Sequence, residues 1–477
     1  MARIALSALL LLAAIARAED VPRPEHPTPD AVRPHWTNLN GKWDFRFDAD
    51  DQGLKADWSK PDAPGFDKKI VVPFCWESEL SGIGNAKDAP KIGWYRRTFD
   101  VPKDFPKGDR VWLRFGAVDW RADVWVDNAK VGDHEGGYTP FEFDVTDKLK
   151  GDGPHTVVVR AFDPTDPSLP VGKQVGWYTT TSGIWQTVWL ESRPKARIKD
   201  FTVTTTVKPG DVRATFRVDL DGLTPGREHK LSVRGDGFAS SATFTPEAGA
   251  YRYDAGMGPS WTEAKLWTPE TPTLHEATIE LTSPDAKVDS VKTYFGLRTI
   301  TRGKLPGEDF ERIFLNGKPI YLRGALDQSF NPKGIYTAPS DAFLRKDIEL
   351  AISVGTNFLR IHIKPEEPRR LYWADKLGML IMEDMPNSWE QNDRARKAWE
   401  STMREVVARD KNHPSIFAWV DFNETWVAGA FGPDSSTPLN ANLRMTIFFI
   451  ASSAADAQPQ HPLPRPLGRE TRMRCRG

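Results

Sequence analysis

Apolar and polar residues alternate with a period of two through the first part of the chain. Trp43, Phe45 and Phe47 stand between polar neighbours, Val111, Leu113 and Phe115 do the same, and Thr156 to Ala161 gives another short strand. Val124 to Val126, then Asp127–Asn128, then Lys130–Val131 predict a tight hairpin, because Asp and Asn tolerate positive φ. Many short strands joined by polar turns predict a β-sandwich. Ser192 to Lys199 is a basic, Pro-containing linker. After it, Phe201 to Val207, Ala214 to Leu220, Leu231 to Val233 and Thr278 to Leu281 alternate again, which predicts a second, smaller sandwich.

After Arg302 the pattern becomes strands alternating with helices. Ile320 to Leu322 is a short apolar run ending at Arg323–Gly324. Ser340 then caps a helix running towards Gly355, with Phe343, Leu344, Ile348 and Leu350 to Ile352 as its buried face. Phe358 to Ile363 reads as a strand, Glu367 to Leu377 as a helix stopped by Gly378, Leu380 to Met382 as a strand closed by Pro386, and Asp393 to Arg409 as a helix. This βαβαβαβ series predicts the opening half of a (β/α)8 barrel.

Composition and the N-terminus add further constraints. Met1 to Ala18 has an early Arg3, an apolar run from Ile4 to Ile15 and an Ala16–Arg17–Ala18 cleavage site, so it predicts a signal peptide and a secreted or periplasmic protein. The run is too short to span a bilayer. Val21 to Pro34, rich in Pro, reads as an extended and poorly ordered entry segment. A formal net charge of -1 gives no reason to expect nucleic acid or a membrane as partner. Cys75 and Cys475 alone support no disulfide framework. The 18 Trp suit either sandwich cores or the apolar faces of sugar rings.

The chemistry concentrates in Asn412 to Trp426, NHPSIFAWVDFNETW. A turn leads into the apolar run Ile416 to Val420, and the polar residues appear only where that run stops, which is the end of a barrel strand that lines an active face. NHPS, the Trp and the closing Asn423–Glu424 pair resemble the acid/base strand of glycoside hydrolase family 2, the family of β-galactosidases, β-glucuronidases and β-mannosidases. LNGKWDF (Leu39 to Phe45), VPFCW (Val72 to Trp76), GWYRRTF (Gly93 to Phe99), HEGGYTPFEFDVT (His134 to Thr146) and SGIWQTVWL (Ser182 to Leu190) are similar to the jelly roll that opens such enzymes. LWTPETPTLHEATIEL (Leu266 to Leu281) and YFGLRTI (Tyr294 to Ile300) resemble the end of its immunoglobulin-like domain.

The resemblance implies a multidomain β plus α/β chain. A signal peptide (1–18) and an extended segment (19–34) lead to an N-terminal jelly-roll β-sandwich (35–195), an immunoglobulin-like β-sandwich (196–299) and the first half of a (β/α)8 TIM barrel (300–443). A tail without periodicity (444–477) follows. It implies hydrolysis of β-linked glycosides by two carboxyl groups with retention, Glu424 being the acid/base and Asn423 the partner of the sugar 2-hydroxyl. NFLRIHIKPEEPRRLYWADKLGMLIMEDMPN (Asn357 to Asn387) resembles the second and third barrel strands. It gives Arg360 as an orienting fork, His362 as a substrate ligand or a structural hydrogen bond, and Asp384, with Glu383, as a polar group in the site or a salt bridge to Arg360. Trp426, like Trp389 and Trp419, is a candidate for stacking on sugar or for packing.

RGALDQSFNP (Arg323 to Pro332) departs from the Asn-Arg-His-Glu type of sequence at the first strand exit of many β-galactosidases, which leaves the sugar open. No metal-ligand spacing appears and no cofactor is implied. The family's nucleophile, a Glu ending the seventh strand, has no counterpart after Glu424, where the acidic residues are Asp434, Asp456 and Glu470. The sequence thus predicts a barrel stopped at four strands with an open fourth edge, a truncated or out-of-frame terminus after Leu443, and little or no hydrolase activity without the partner carboxylate. A non-catalytic secreted carbohydrate-binding or scaffold protein is the alternative. A carbohydrate is the expected partner in either case, and the oligomeric state is not legible.

Overall fold

Period-two alternation in the N-terminal third produces two facing antiparallel sheets. The computed structural model describes residues 21–423, apart from 85–88, 165, 175–177, 248–250, 258, 262–263 and 391, together with the strand Met445–Phe449. One sheet of the first sandwich has six strands in the order Lys68–Val72, Gly41–Phe47, Ile92–Phe99, His155–Phe162, Arg121–Val126 and Ala129–Glu135. The other has four, Trp36–Asn38, Val188–Arg193, Arg110–Phe115 and Phe141–Asp144. Every second residue points inward, so that Trp43, Phe45, Leu113, Phe115, Val124, Val126, Val157 and Val159 share one core. The hairpin turns at Asp127 and Asn128, with φ of 47° and 66°. Trp43, Trp76, Trp94, Trp185 and Trp189 are fully buried, so much of the tryptophan is structural.

The entry segment is extended, but it is not loose. Arg23 is 3 % exposed and donates to both carboxylate oxygens of Glu367 (3.0 and 2.7 Å). Arg33 holds Asp289 (2.9 and 3.0 Å). Buried guanidiniums cost too much desolvation to be left unpaired, so these pairs fix the segment across all three layers of the molecule.

The second sandwich pairs Arg197–Lys208, Asp211–Asp221 and Tyr251–Met257 in one sheet. The other holds Phe238–Phe244, His229–Gly235, His275–Thr282 and Val288–Phe295. Ile198, Phe216, Val218, Leu231, Val233, Ile279, Leu281 and Phe295 form its core.

The barrel half is a parallel sheet of β1 (Gly324–Asp327), β2 (Phe358–Ile361), β3 (Leu380–Asp384) and β4 (Ile416–Asn423), with α1 (Asp341–Ser353), α2 (Pro368–Leu377) and α3 (Asp393–Asp410) as crossovers. Ser340 and Asn392 cap α1 and α3 through Phe343 N–H and Ala395 N–H, and Gly378 ends α2 in the left-handed region at φ 83°. Three expectations are corrected. The first strand starts at Gly324, not Ile320: the Ile320 amide is taken by the Ile313 carbonyl (2.9 Å) of a small hairpin, and Ile320 and Leu322 pack against the apolar layer around Leu380 and Met382. On α1 only Leu344 and Ile348 are buried, whereas Phe343, Leu350 and Ile352 face outward, because α1 packs on one side against α2. The fourth edge is not open, since β5 (Met445–Phe449) pairs antiparallel with β4 from Asn423↔Met445 to Ala418↔Phe449. A buried central strand needs acceptors and donors along both sides, and β5 supplies them.

The NHPS turn before β4 is a joint between layers. Asn412 Oδ1 accepts from Val203 N–H (2.9 Å) and Arg298 donates to the carbonyls of Pro414 and Ile416 (both 2.6 Å). His413 Nδ1 lies 2.6 Å from Asp375 Oδ2, which also accepts from Tyr294 Oη (2.8 Å), while Asp375 Oδ1 accepts from Ser415 N–H (2.9 Å). Burial opposes a charge on His413, but Asp375 outweighs it and lifts the pKa to about 9. A raised folded pKa gives stability that is complete below about pH 6.5 and lost as pH rises through about 9. Denaturant melts between these limits are expected to lose on the order of 3 kcal/mol, and His413→Gln to flatten that slope. A slope unchanged in the variant would remove His413 from the account.

Candidate active site

Alternation along the parallel strands sorts their side chains. On β2 and β3, Leu359, Ile361 and Ile381 face the helices, while Phe358, Leu380 and Met382 form an apolar layer on the other side. Arg360, level with Met382, and Asp384, two residues further on, share the face of that layer toward the C-terminal ends of the strands, where loops of a parallel barrel form its reactive face. Arg360 donates from Nε and Nη2 to the two oxygens of Asp384 (3.0 and 2.7 Å), and Nη2 also reaches Asn423 Oδ1 at the end of β4 (2.8 Å). One guanidinium thus fixes side chains from three consecutive strands.

Asp384 is fully buried and Arg360 is half-buried. Burial pushes the carboxyl up and the Arg360 bonds pull it down, leaving it at about 6, so it is largely ionised at neutral pH. His362 lies beyond β2 with Nδ1 3.2 Å from Gln328 Oε1, and its ring also hydrogen-bonds Asn423. Burial, with the positive charge of Lys173 adding to it, lowers His362 to about 4, so the ring is neutral. Asp421 on β4 is pushed up to about 7 by burial alone.

Four sequence candidates, Arg360, His362, Asp384 and Asn423, therefore lie at the same end of the sheet. Glu424 and Trp426 lie outside the described residues. Of the alternatives left open, Asp384 takes the salt bridge to Arg360. Glu383 points to the other face, accepting from Glu366 N–H (2.9 Å). Trp419 packs in the layer between sheet and helices. Trp389, 41 % exposed, donates from Nε1 to the Gly172 carbonyl (2.6 Å). Among the described residues no group of three or more His, Cys, Asp or Glu is placed to hold a metal ion.

Two contributors were not singled out from sequence. Asn387 donates from Nδ2 to the Asn423 carbonyl (2.7 Å) and so orients the end of β4; a polar residue just after Pro386 was its only signal. The other is a loop of the first sandwich. Gly172 N–H donates to the Asn387 carbonyl (3.0 Å), and a Cβ at Gly172, where φ is +60°, would stand 2.4 Å from the Ile363 carbonyl oxygen. Only glycine allows so close an approach. The ends of this loop are pinned where Ser182 Oγ meets Asp163 (2.7 Å) and Glu77 (2.5 Å).

Family models for glycosyl hydrolases family 2 match the chain over its sugar binding domain (residues 36–194), its central domain (196–298) and its TIM barrel domain (308–436). The chain belongs to glycosyl hydrolase family 2. It is 27% identical over 343 residues to a β-galactosidase of Thermoanaerobacter pseudethanolicus, covering 70% of this chain and 45% of that protein. A β-glucuronidase of Streptococcus agalactiae is 27% identical over 443 residues, 84% of this chain and 68% of its own. The solved β-glucuronidase of Bacteroides uniformis superposes with a TM-score of 0.67 at 26% identity, over 80% of this chain and 46% of that one. The chain spans about half the length, or less, of the first curated relatives it matches.

Removing the fork tests the site's construction. Arg360→Met leaves Asp384 buried without its cation, and is expected to cost about 3 kcal/mol of stability and to move the Asp384 titration, followed by carboxyl NMR, above 6. A titration unmoved by the substitution would mean that Arg360 does not hold the carboxylate.

Proposed function

We propose that the chain carries the acid/base half of a β-glycosidase acting on β-linked sugars such as glucuronides or galactosides. The observation that carries this reading is the convergence of Arg360, Asp384 and Asn423 at the C-terminal ends of β2, β3 and β4, immediately before Glu424. In this reading Glu424 protonates the glycosidic oxygen. Asn423, oriented by Arg360 and Asn387, hydrogen-bonds the 2-hydroxyl, a contact that strengthens as positive charge develops on the sugar. Neutral His362 beside Gln328 donates to or accepts from sugar hydroxyls without adding charge. Asp384 keeps Arg360 in place.

Retention requires a second carboxylate about 5 Å from the first to attack the anomeric carbon. That carboxylate also helps keep the acid protonated, through like-charge repulsion. In this reading it belongs to later barrel units, of the kind that the longer relatives have room for. Export is part of the proposal, supported by Met1 to Ala18, and would leave a mature protein beginning at Glu19 by N-terminal sequencing.

The purified 477-residue chain is expected to bind an aryl β-glucuronide or β-galactoside weakly and to turn over neither. Asn423→Ala should weaken that binding by up to about tenfold, the loss of one neutral hydrogen bond to the 2-hydroxyl. Turnover by the chain alone would overturn the two-carboxylate reading, and failure to bind either glycoside would overturn the glycosidase reading.

A further inference from the structure

Most large aromatic rings of this protein are inside it, and two of the exceptions share one support. Trp389 is the only exposed tryptophan among the described residues, and Tyr178 is exposed as well. Trp389 Nε1 donates to the Gly172 carbonyl (2.6 Å), and the Tyr178 N–H donates to the next carbonyl, that of Lys173 (3.1 Å). A single short turn of the first sandwich thus holds both residues. Tyr178 lies face to face with Phe330, with ring centroids 4.1 Å apart and an angle of 19° between the planes. Phe330 in turn meets Tyr336 edge-on at 5.0 Å.

These rings border the candidate site on two sides. Asn387, which holds the end of β4, comes two residues before Trp389, and Gln328, which bonds His362, comes two residues before Phe330. Two residues of chain span at most about 7 Å. Aromatic surface therefore flanks the Arg360–Asp384–Asn423 group from the loop after β1 and from the loop after β3.

What the rings offer to a ligand is narrow. The one polar atom of the Trp389 indole is already bonded, so the exposed part of that side chain is its face, and Phe330 has no polar atom at all. A ligand edged with hydroxyls needs donors and acceptors that such surfaces lack, whereas a flat apolar ring needs only a face to lie on. Both sides are set before anything binds, by the bond to Gly172 and by the packing of Phe330 on Tyr178 and Tyr336. Little ordering is then lost on stacking.

We propose that Trp389 and the Tyr178–Phe330 pair form a platform for the leaving group, and that the glycosides this chain takes carry a flat aromatic one rather than a second sugar. The sugar half of that substrate rests on the glycosidase reading, whereas the platform is read from the rings themselves. Through Tyr178 the first sandwich then takes part in choosing the leaving group.

Isothermal titration calorimetry of the full chain with methyl and 2-naphthyl β-galactoside, methyl and 2-naphthyl β-glucuronide, and lactose reads the leaving group separately from the sugar. For whichever sugar binds, the naphthyl glycoside is expected to bind about tenfold more tightly than the methyl one, the order of one stacked ring with the surface it buries. Trp389→Ala should reduce that ratio to about threefold or less, and Trp389→Phe, which keeps a ring but loses the bond to Gly172, should retain most of it. Equal losses in the two variants would mean that Trp389 acts only by pinning the turn, and would overturn the proposal. Tyr178→Ala, at an exposed position, should lower the ratio too and covers the case in which the Trp389 variants fail to melt cooperatively. A ratio near one, or lactose binding as tightly as the naphthyl galactoside, would overturn the platform and leave the glycosidase reading intact. Binding of none of these glycosides would overturn both.

Discussion

The carboxylate of Asp375 is the constraint on which the placement of the candidate site depends. It comes from α2, accepts a hydroxyl from the second sandwich through Tyr294, pairs with His413 and accepts the backbone N–H of Ser415 where β4 begins. All of these groups are buried, so the carboxylate is stable there only while its partners are present, and the partners are fixed in turn. The start of β4 is thus located from two layers at once. Eight residues later the same strand ends at Asn423, and an error of one residue at its start would turn Asn423 away from Arg360.

At the other end the principle is similar but the chemistry differs. Arg360 joins Asp384 and Asn423, and Asn387 turns the β4 terminus by its carbonyl. On the face that carries Phe358, Leu380 and Met382 the strands are apolar below this level and polar at it. A cation shared by a carboxylate and an amide fixes the orientation of that amide, which also hydrogen-bonds His362.

Most of this was legible in the chain. Period-two runs gave the two sandwiches, Ser340 and Gly378 gave helix ends, and the Asp127–Asn128 pair gave a hairpin with positive φ at both positions. What was missed has physical causes. Phe238–Phe244, FASSATF, is a sandwich strand whose intervening residues are too small to show alternation. Ile320 to Leu322 has strand composition, but a competing hairpin captures its first amide. Entry-segment prolines suggested looseness, yet two arginines 10 residues apart anchor it through partners hundreds of positions away. At the site, residues on one strand were readable because register ties them to an apolar run. Contacts made across layers, such as Gly172 to Asn387, leave no periodic trace.

That last contact bears on how such proteins can be recombined. The loop from Asp163 to Ser182 is covalently part of the first sandwich, but its tip is fitted to the barrel with no spare volume at Gly172. A chimaera joined at the linker near residue 195 would therefore inherit a barrel from one parent and part of its rim from the other. The natural unit of exchange is not the domain as the chain order draws it, but the barrel together with this borrowed loop.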